Sequence, residues 1–141
     1  MKFDKNASAG YLANHMARLF AQRLHEQTKP LGIAPAQFVV LLELWSEDGL
    51  TQRELVDRLA VEQATMANTL TRMERDGLIT REPHPTDKRA SVTCLTDKAR
   101  ALAGEATKAA QRVNDRALQD VDREEFEVFL KTARKVIGAL T

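Results

Sequence analysis

Cysteine is almost missing from this sequence. Cys94 is the only one in 141 residues, so no disulfide can form within the chain and a zinc site built from several cysteines is excluded. Long apolar runs are missing too. The longest, Phe38 to Leu42, is far too short to span a bilayer. No apolar signal core follows Met1-Lys2-Phe3-Asp4-Lys5-Asn6, so a soluble cytoplasmic protein without membrane contact is expected. There is no excess of one charge. The 21 basic and 20 acidic side chains leave a formal +1, so any binding to nucleic acid must come from local arrangement, not from a global field. The six glycines are scattered and build no phosphate cradle. His15, His25 and His84 show no metal-ligand spacing, and no nucleophile stands beside a base. Neither an enzyme nor a cofactor is expected.

What remains is an ordinary globular balance, 43% hydrophobic and 29% charged. The length fits one domain or one subunit of an oligomer. Most of the chain carries helical periodicity. From about Ser8 to Gln27, Leu12, Met16, Leu19, Phe20 and Leu24 fall on one face. Pro30 and Gly32 break the chain, and Pro35 suits the first turn of a second helix. Its buried side is expected to be Phe38, Val39, Leu41, Leu42 and Trp45, with Asp48 and Gly49 at its end. Thr51-Gln52-Arg53-Glu54 is a capping-box pattern that opens a short third helix. A tight turn at Ala60 and Val61 leads to a fourth, Gln63 to Arg75, with Met66, Thr69, Leu70 and Met73 inward and Gly77 as its stop.

After Gly77 the period changes. Leu78-Ile79-Thr80-Arg81 and Ser91-Val92-Thr93-Cys94-Leu95 read as two strands of a hairpin. The tip between them, Pro83 to Arg89, is rich in turn residues. Thr96 then caps a long helix reaching about Gln119, with a stripe of mostly small residues at Ala99, Ala103, Ala106, Ala110, Val113 and Ala117. Asp122 and Glu125 open a last amphipathic helix with Phe126, Phe129, Leu130, Ala133 and Ile137 on its apolar side.

The expected fold is therefore mainly α with a small β-hairpin wing, a winged helix-turn-helix. A helix that reads base edges needs small or amide side chains, because large aliphatic ones would bury polar edges unpaired. Asn and Gln can bridge the donor and acceptor of an adenine edge in the major groove. The outward positions of the fourth helix are Gln63, Ala64, Thr65, Ala67, Asn68, Thr71 and Arg72. Lys88 and Arg89 sit at the wing tip, and an Arg there can enter a narrow minor groove, where the potential is most negative. Residues 51–96 hold seven basic and seven acidic side chains, so binding must rely on placement and on doubled contacts in a dimer. Arg53 could reach the DNA backbone. Arg72 and Arg75 either contact phosphate or pair with Glu74, Asp76 or Asp87.

The segments Leu50-Thr51-Gln52, Leu59-Ala60-Val61, Thr65, Leu78-Ile79, Arg81, Pro83, Pro85, Asp87-Lys88-Arg89-Ala90 and Leu95-Thr96 resemble the MarR family of winged-helix transcription regulators. The wing pattern Asp-x-Arg-Ala, with an apolar strand and a Leu-Thr helix start after it, is the most specific part. The resemblance implies one subunit over 1–141, with 34–96 as the DNA-binding lobe. Helices from 7–30 and 97–141 would form a homodimer body. It implies a recognition helix containing Gln63, Ala64, Thr65, Asn68 and Arg72, with further DNA contacts from Arg53, Lys88 and Arg89. Asp87 would brace the wing by pairing with a nearby Arg. The implied partner is double-stranded DNA with a pseudopalindromic operator. The implied action is repression, released by a small-molecule effector such as an aromatic acid, a lipophilic drug or a thioester. Tyr11, His15, Phe38 and Trp45 are the candidate effector-pocket residues. For His15 the simpler reading is a dimer-core or surface histidine, and a core role explains Phe38 and Trp45 at least as well. The chain departs from the family pattern at Ala60, usually Gly, at Glu62, often Ser or Asp, and at Asn68, where Arg is common. One branch of the family senses peroxide through a cysteine in the first helix. Cys94 lies elsewhere and reads as a small strand residue. The competing reading is a dimeric winged-helix module that binds proteins or small molecules without binding DNA.

Overall fold

Four polar side chains start four of the helices in the computed structural model, which describes residues 2–141. Each accepts a hydrogen bond from the backbone N–H three residues on, satisfying a donor that the helix itself leaves unpaired. Ser8 does so for α1 (Ala9–Thr28), Thr51 for α3 (Gln52–Leu59), Thr96 for α5 (Asp97–Ala117) and Asp122 for α6 (Arg123–Leu140). Thr51 with Glu54, and Asp122 with Glu125, complete reciprocal capping boxes. Pro35 is the first residue of α2 (Pro35–Ser46), and α4 spans Gln63–Arg75. Gly77, at φ +74°, turns the chain out of α4 in the left-handed region that glycine adopts without strain. α5 stops at Ala117, two residues before the expected end.

The sheet has three strands where two are expected. β1 (Leu50–Thr51) joins β2 (Ile79–Pro83) and β3 (Ser91–Leu95) in the order β1-β3-β2, all antiparallel. β1 has only two residues, too few to show a period of two. Leu50 lies opposite Thr93 and Thr51 opposite Val92, and Gly49 N–H donates to the Thr93 carbonyl at 3.1 Å. β2 runs to Pro83, which sits opposite Ser91. β2 is an edge strand, where a missing N–H costs no ladder bond.

Most of the core lies beneath the helix-turn-helix and the sheet. Ile33, Phe38, Leu41, Leu44, Leu50, Leu55, Met66, Leu70, Met73, Leu78, Ile79 and Leu95 are buried together, with Ala99 and Ala106 of α5 packed against them. α4 turns Met66, Thr69, Leu70 and Met73 inward, as its spacing predicts. The expected buried side of α2 needs correction. Val40 and Leu44 are buried there, while Val39 and Leu42 are exposed at 38% and 41%. The run Phe38 to Leu42 is apolar all the way round, so the pattern names no face and tertiary packing chooses it. On α5 the stripe is also shifted: Ala109 is buried and Ala117 exposed.

α1 packs along α5, and Arg112 donates from Nε to Gln27 Oε1 at 3.0 Å across that contact. α6 has no buried residue. Among the described residues, no helix is long and apolar enough to cross a membrane.

Candidate nucleic-acid interface

The geometry of the helix pair follows from its two ends. The Thr51–Glu54 box fixes the start of α3. Ala60 then takes φ +52°, ψ +44°, the left-handed conformation that reverses the chain into α4. Ala is strained there because its Cβ crowds the following carbonyl. Gln52 Nε2 donates to Gln63 Oε1 at 3.3 Å, tying the first turn of α3 to the first turn of α4. Glu62 occupies the N-cap of α4 and makes no side-chain capping bond.

The far end of α4 is held more firmly. Gln37 is buried, and its Nε2 donates to Asp76 Oδ2 at 3.0 Å while its Oε1 accepts from Ala34 N–H at 3.1 Å. Lys98 Nζ donates to the Asp76 carbonyl at 2.9 Å. The hydrogen bond from Gln37, then that from Arg75, holds the Asp76 carboxyl below its usual range. This clasp joins α4 to α2 and α5, so the end of α4 is held from two sides.

On the face of α4 away from the core, Gln63, Ala64, Thr65, Asn68, Thr71 and Arg72 are all exposed. Thr71 Oγ1 is engaged with the Ala67 carbonyl at 2.9 Å. Among the described residues the Asn68 amide and the Arg72 guanidinium have no partner on the chain. The face is thus polar and small, with unspent donors.

The neutral charge count of residues 51–96 conceals an asymmetry. Arg58 is spent on Glu43 and Glu47, and Arg75 on Asp76 at 3.1 Å. Arg53, Arg72, Lys88 and Arg89 are exposed and make no ion pair among the described residues. The ambiguity between Arg72 and Arg75 is resolved by this geometry: Arg75 pairs with Asp76 and Arg72 does not. Arg81 is half-buried on β2, and its Nε is buried without a partner.

The wing is braced differently from the expectation. Asp87 pairs with no Arg side chain. Its Oδ1 accepts from the Arg89 backbone N–H at 2.9 Å, a local turn that the short Asp side chain can reach and a distant guanidinium does not. His84, which the sequence places in the wing tip but gives no role there, does more. Its Nδ1 accepts from Asp87 N–H at 2.9 Å and from Thr86 N–H at 3.2 Å. His84 N–H donates to the Ala90 carbonyl at 3.2 Å, closing the tip that presents Lys88 and Arg89. A histidine accepting two successive amides has no spacing signature, so only the folded tip shows it. At the base of the wing, Asp48 Oδ1 accepts from Leu95 N–H at 2.9 Å.

The four candidate pocket residues do not converge. Tyr11 and His15 are exposed on α1, edge to face at 6.3 Å between ring centres. Phe38 and Trp45 form a second such pair at 6.1 Å. Phe38 is 2% exposed, and Trp45 Nε1 donates to the Ala99 carbonyl at 3.1 Å. A cavity of about 740 Å³ lies elsewhere, between α1, α5 and α6. Met16, Leu19, Val113 and Phe129 line it, as do Arg23 and Arg116. Cys94 is half-buried on β3, and burial, then the charge of Asp48, pushes its thiol pKa up.

A short capped helix, a left-handed turn, an exposed polar helix and a three-stranded wing define a winged helix-turn-helix protein. The MarR family model matches residues 33–91. The transcriptional regulator HosA of Escherichia coli O111:H- is 31% identical over 125 residues, covering 89% of this chain and 87% of its own length. The chain belongs to the MarR family of transcriptional regulators, which are not enzymes. Two solved structures superpose along nearly the whole chain. The transcriptional repressor CouR bound to a 23-mer DNA duplex gives a TM-score of 0.84 at 26% identity, covering 97% of this chain and 99% of CouR. PcaV from Streptomyces coelicolor, in complex with its natural ligand, gives 0.86 at 25% identity, covering 100% and 99%.

Proposed function

We propose that this protein is a cytoplasmic homodimer that binds a short pseudopalindromic duplex and represses transcription until a small-molecule effector releases it. The observation that carries the reading is the pairing of α4's exposed, unspent polar face with a wing tip whose two cations make no ion pair. α4 enters the major groove, where Asn68 reads a base edge and Gln63, Ala64 and Thr65 fit closely against neighbouring bases. Arg72 and Arg53 take phosphates, which set register without carrying sequence. Arg89, with Lys88 beside it, reaches the minor groove from the wing, and Asp87 with His84 holds its backbone.

The homodimer is supported by apolar surface that one chain leaves in water. Leu12, Met16 and Leu19 are exposed at i, i+4 and i+7 on α1. Val128, Phe129, Val136, Ile137 and Leu140 are exposed on α6. An apolar stripe of this extent on a helix with no buried residue marks an interface. In a two-fold dimer the two α4 helices would meet successive major grooves, about one helical turn apart.

The repressor reading leans on CouR, a repressor with DNA bound, and the effector reading on PcaV, which holds a ligand. Release is a population shift: an effector between the dimer body and the winged lobe changes the spacing of the two recognition helices, and both half-sites are lost together. Fluorescence anisotropy with DNA from upstream of the protein's own gene, beside scrambled DNA of equal length, tests the function across a salt series. One dimer per site with preference for the upstream DNA is expected. No binding to either DNA at low salt would overturn the reading in favour of an interaction module. For the effector, a ligand that binds tightly yet leaves DNA affinity unchanged would contradict the release mechanism.

A further inference from the structure

The proposed contacts use the outward face of α4 and the wing. A second feature lies at the other end of α4. A groove of about 550 Å³ opens between the end of α1, the start of α2 and the last turn of α4. His25 and Lys29 line it from the α1 side, Arg72 and Arg75 from α4, with Gln37 and Asp76 between them.

Its charges do not cancel. Asp76 is the one carboxylate in the lining, and both its oxygens are occupied: Oδ2 by Gln37 at 3.0 Å and Oδ1 by Arg75 at 3.1 Å. Lys29 and Arg72 are exposed and have no ion pair among the described residues. The His25 ring is half-buried. Ala34, the N-cap of α2, also lines the groove, but α1 and α4 reach it with their C-terminal ends, so the helix dipoles oppose one another and the positive field comes from the side-chain cations. Two free cations from different elements converge on a concave surface whose carboxylate is already spent. Such a surface suits an oxyanion.

We propose that this groove holds a phosphate group, and that DNA supplies it from the backbone just outside the bases that α4 reads. Arg72 links the two surfaces. It shares an exposed side of α4 with Thr65 and Asn68, at i, i+3 and i+7, and it lines the groove. The flanking backbone is thereby held between Arg72 on the winged lobe and Lys29 at the end of α1. The DNA source rests on the function proposed above. Free inorganic phosphate is the other source of the same chemistry.

The test compares the full-length protein with Lys29→Gln, an exposed substitution, by anisotropy on a short duplex ending at the recognised site and on one extended by flanking base pairs. Wild type is expected to bind the extended duplex several-fold more tightly. In Lys29→Gln that advantage disappears, affinity falls alike for every sequence, and the slope of log K against log salt flattens by about 1.8 per dimer, about 0.9 for the one phosphate contact each subunit loses. In parallel, inorganic phosphate is titrated into DNA-free protein and followed by amide NMR shifts at Lys29 and Arg72. A phosphate-dependent shift, lost in Lys29→Gln, with an unchanged DNA slope would keep the oxyanion site and overturn DNA as its source. An unchanged slope with no phosphate response would overturn the proposal. If wild type binds no duplex, the regulatory reading fails, and the phosphate titration alone decides the groove.

Discussion

Single residues carry two opposite lessons. Arg72 and Arg75 are three apart on one helix and either could take phosphate or a carboxylate, with Arg72 alone on the implied recognition face; Arg75 is spent on Asp76, and Arg72 makes no ion pair among the described residues. The difference lies in Gln37, which fixes Asp76 from a position 39 residues away. No local pattern contains that bond. Asp87 shows the same limit in reverse: the family resemblance implies an ion pair with an Arg, and the folded tip spends the carboxylate on a backbone amide. Cys94 was legible, since a small residue in a β-branched run reads as a strand position. Its raised pKa leaves little thiolate at neutral pH. The native protein is therefore expected to react with a thiol reagent several-fold more slowly than the urea-unfolded chain, as absorbance of the released thiolate would show. Equal rates would indicate an activated thiol.

At the scale of elements, sequence specified most of what positions the site. Caps, the prolines and Gly77 set the helix starts and stops because each acts within one turn. Two things escaped. β1 is two residues long and owes its existence to its partner strand. α2 is apolar on every side, so its buried face is decided by what surrounds it. The α3–α4 turn offers a direct check. Ala60 pays for a left-handed conformation that Gly adopts freely, so Ala60→Gly is expected to stabilise the protein by about 0.5–1 kcal/mol after the entropy of a freer unfolded chain is deducted. Chemical denaturation would measure it, and a destabilised variant would mean that the turn is not strained. The capping box of α3 makes a pH prediction. The hydrogen bonds from Thr51 lower the Glu54 pKa in the folded state, and those from Gln37 and Arg75 lower that of Asp76. A carboxylate depressed by folding stabilises above its unfolded pKa, and that contribution is lost as pH falls through the folded one. Stability should decline below the ordinary carboxylate range, and Glu54→Gln should flatten that acid limb in denaturation curves taken across pH. An unchanged limb would assign acid sensitivity to other groups.

For the whole molecule, a near-zero net charge is compatible with DNA binding because ion pairs are distributed unevenly. Arg58 and Arg75 are neutralised beside their carboxylates, while Arg53, Arg72, Lys88 and Arg89 remain free. A modest total charge predicts a modest salt slope per subunit, doubled by dimerisation. The sequence showed α1 and α6 to be amphipathic, but a single folded chain leaves their apolar faces largely in water. The homodimer proposed above would cover them with a second copy. Ile137 is 61% exposed on α6, so Ile137→Glu is expected to leave the winged lobe folded and shift the protein from dimer to monomer in analytical ultracentrifugation. A variant that stays dimeric with unchanged affinity would place the interface elsewhere.

The central claim is that α4 reads bases through unspent polar side chains. The most direct test measures Asn68→Ala against wild type on the preferred operator and on a set of operators with single base-pair changes. Loss of about 1–3 kcal/mol on the preferred operator, with discrimination erased at one base pair per half-site and much less loss on random DNA, is the predicted result. Equal loss on every DNA would put Asn68 on the backbone and contradict the claim.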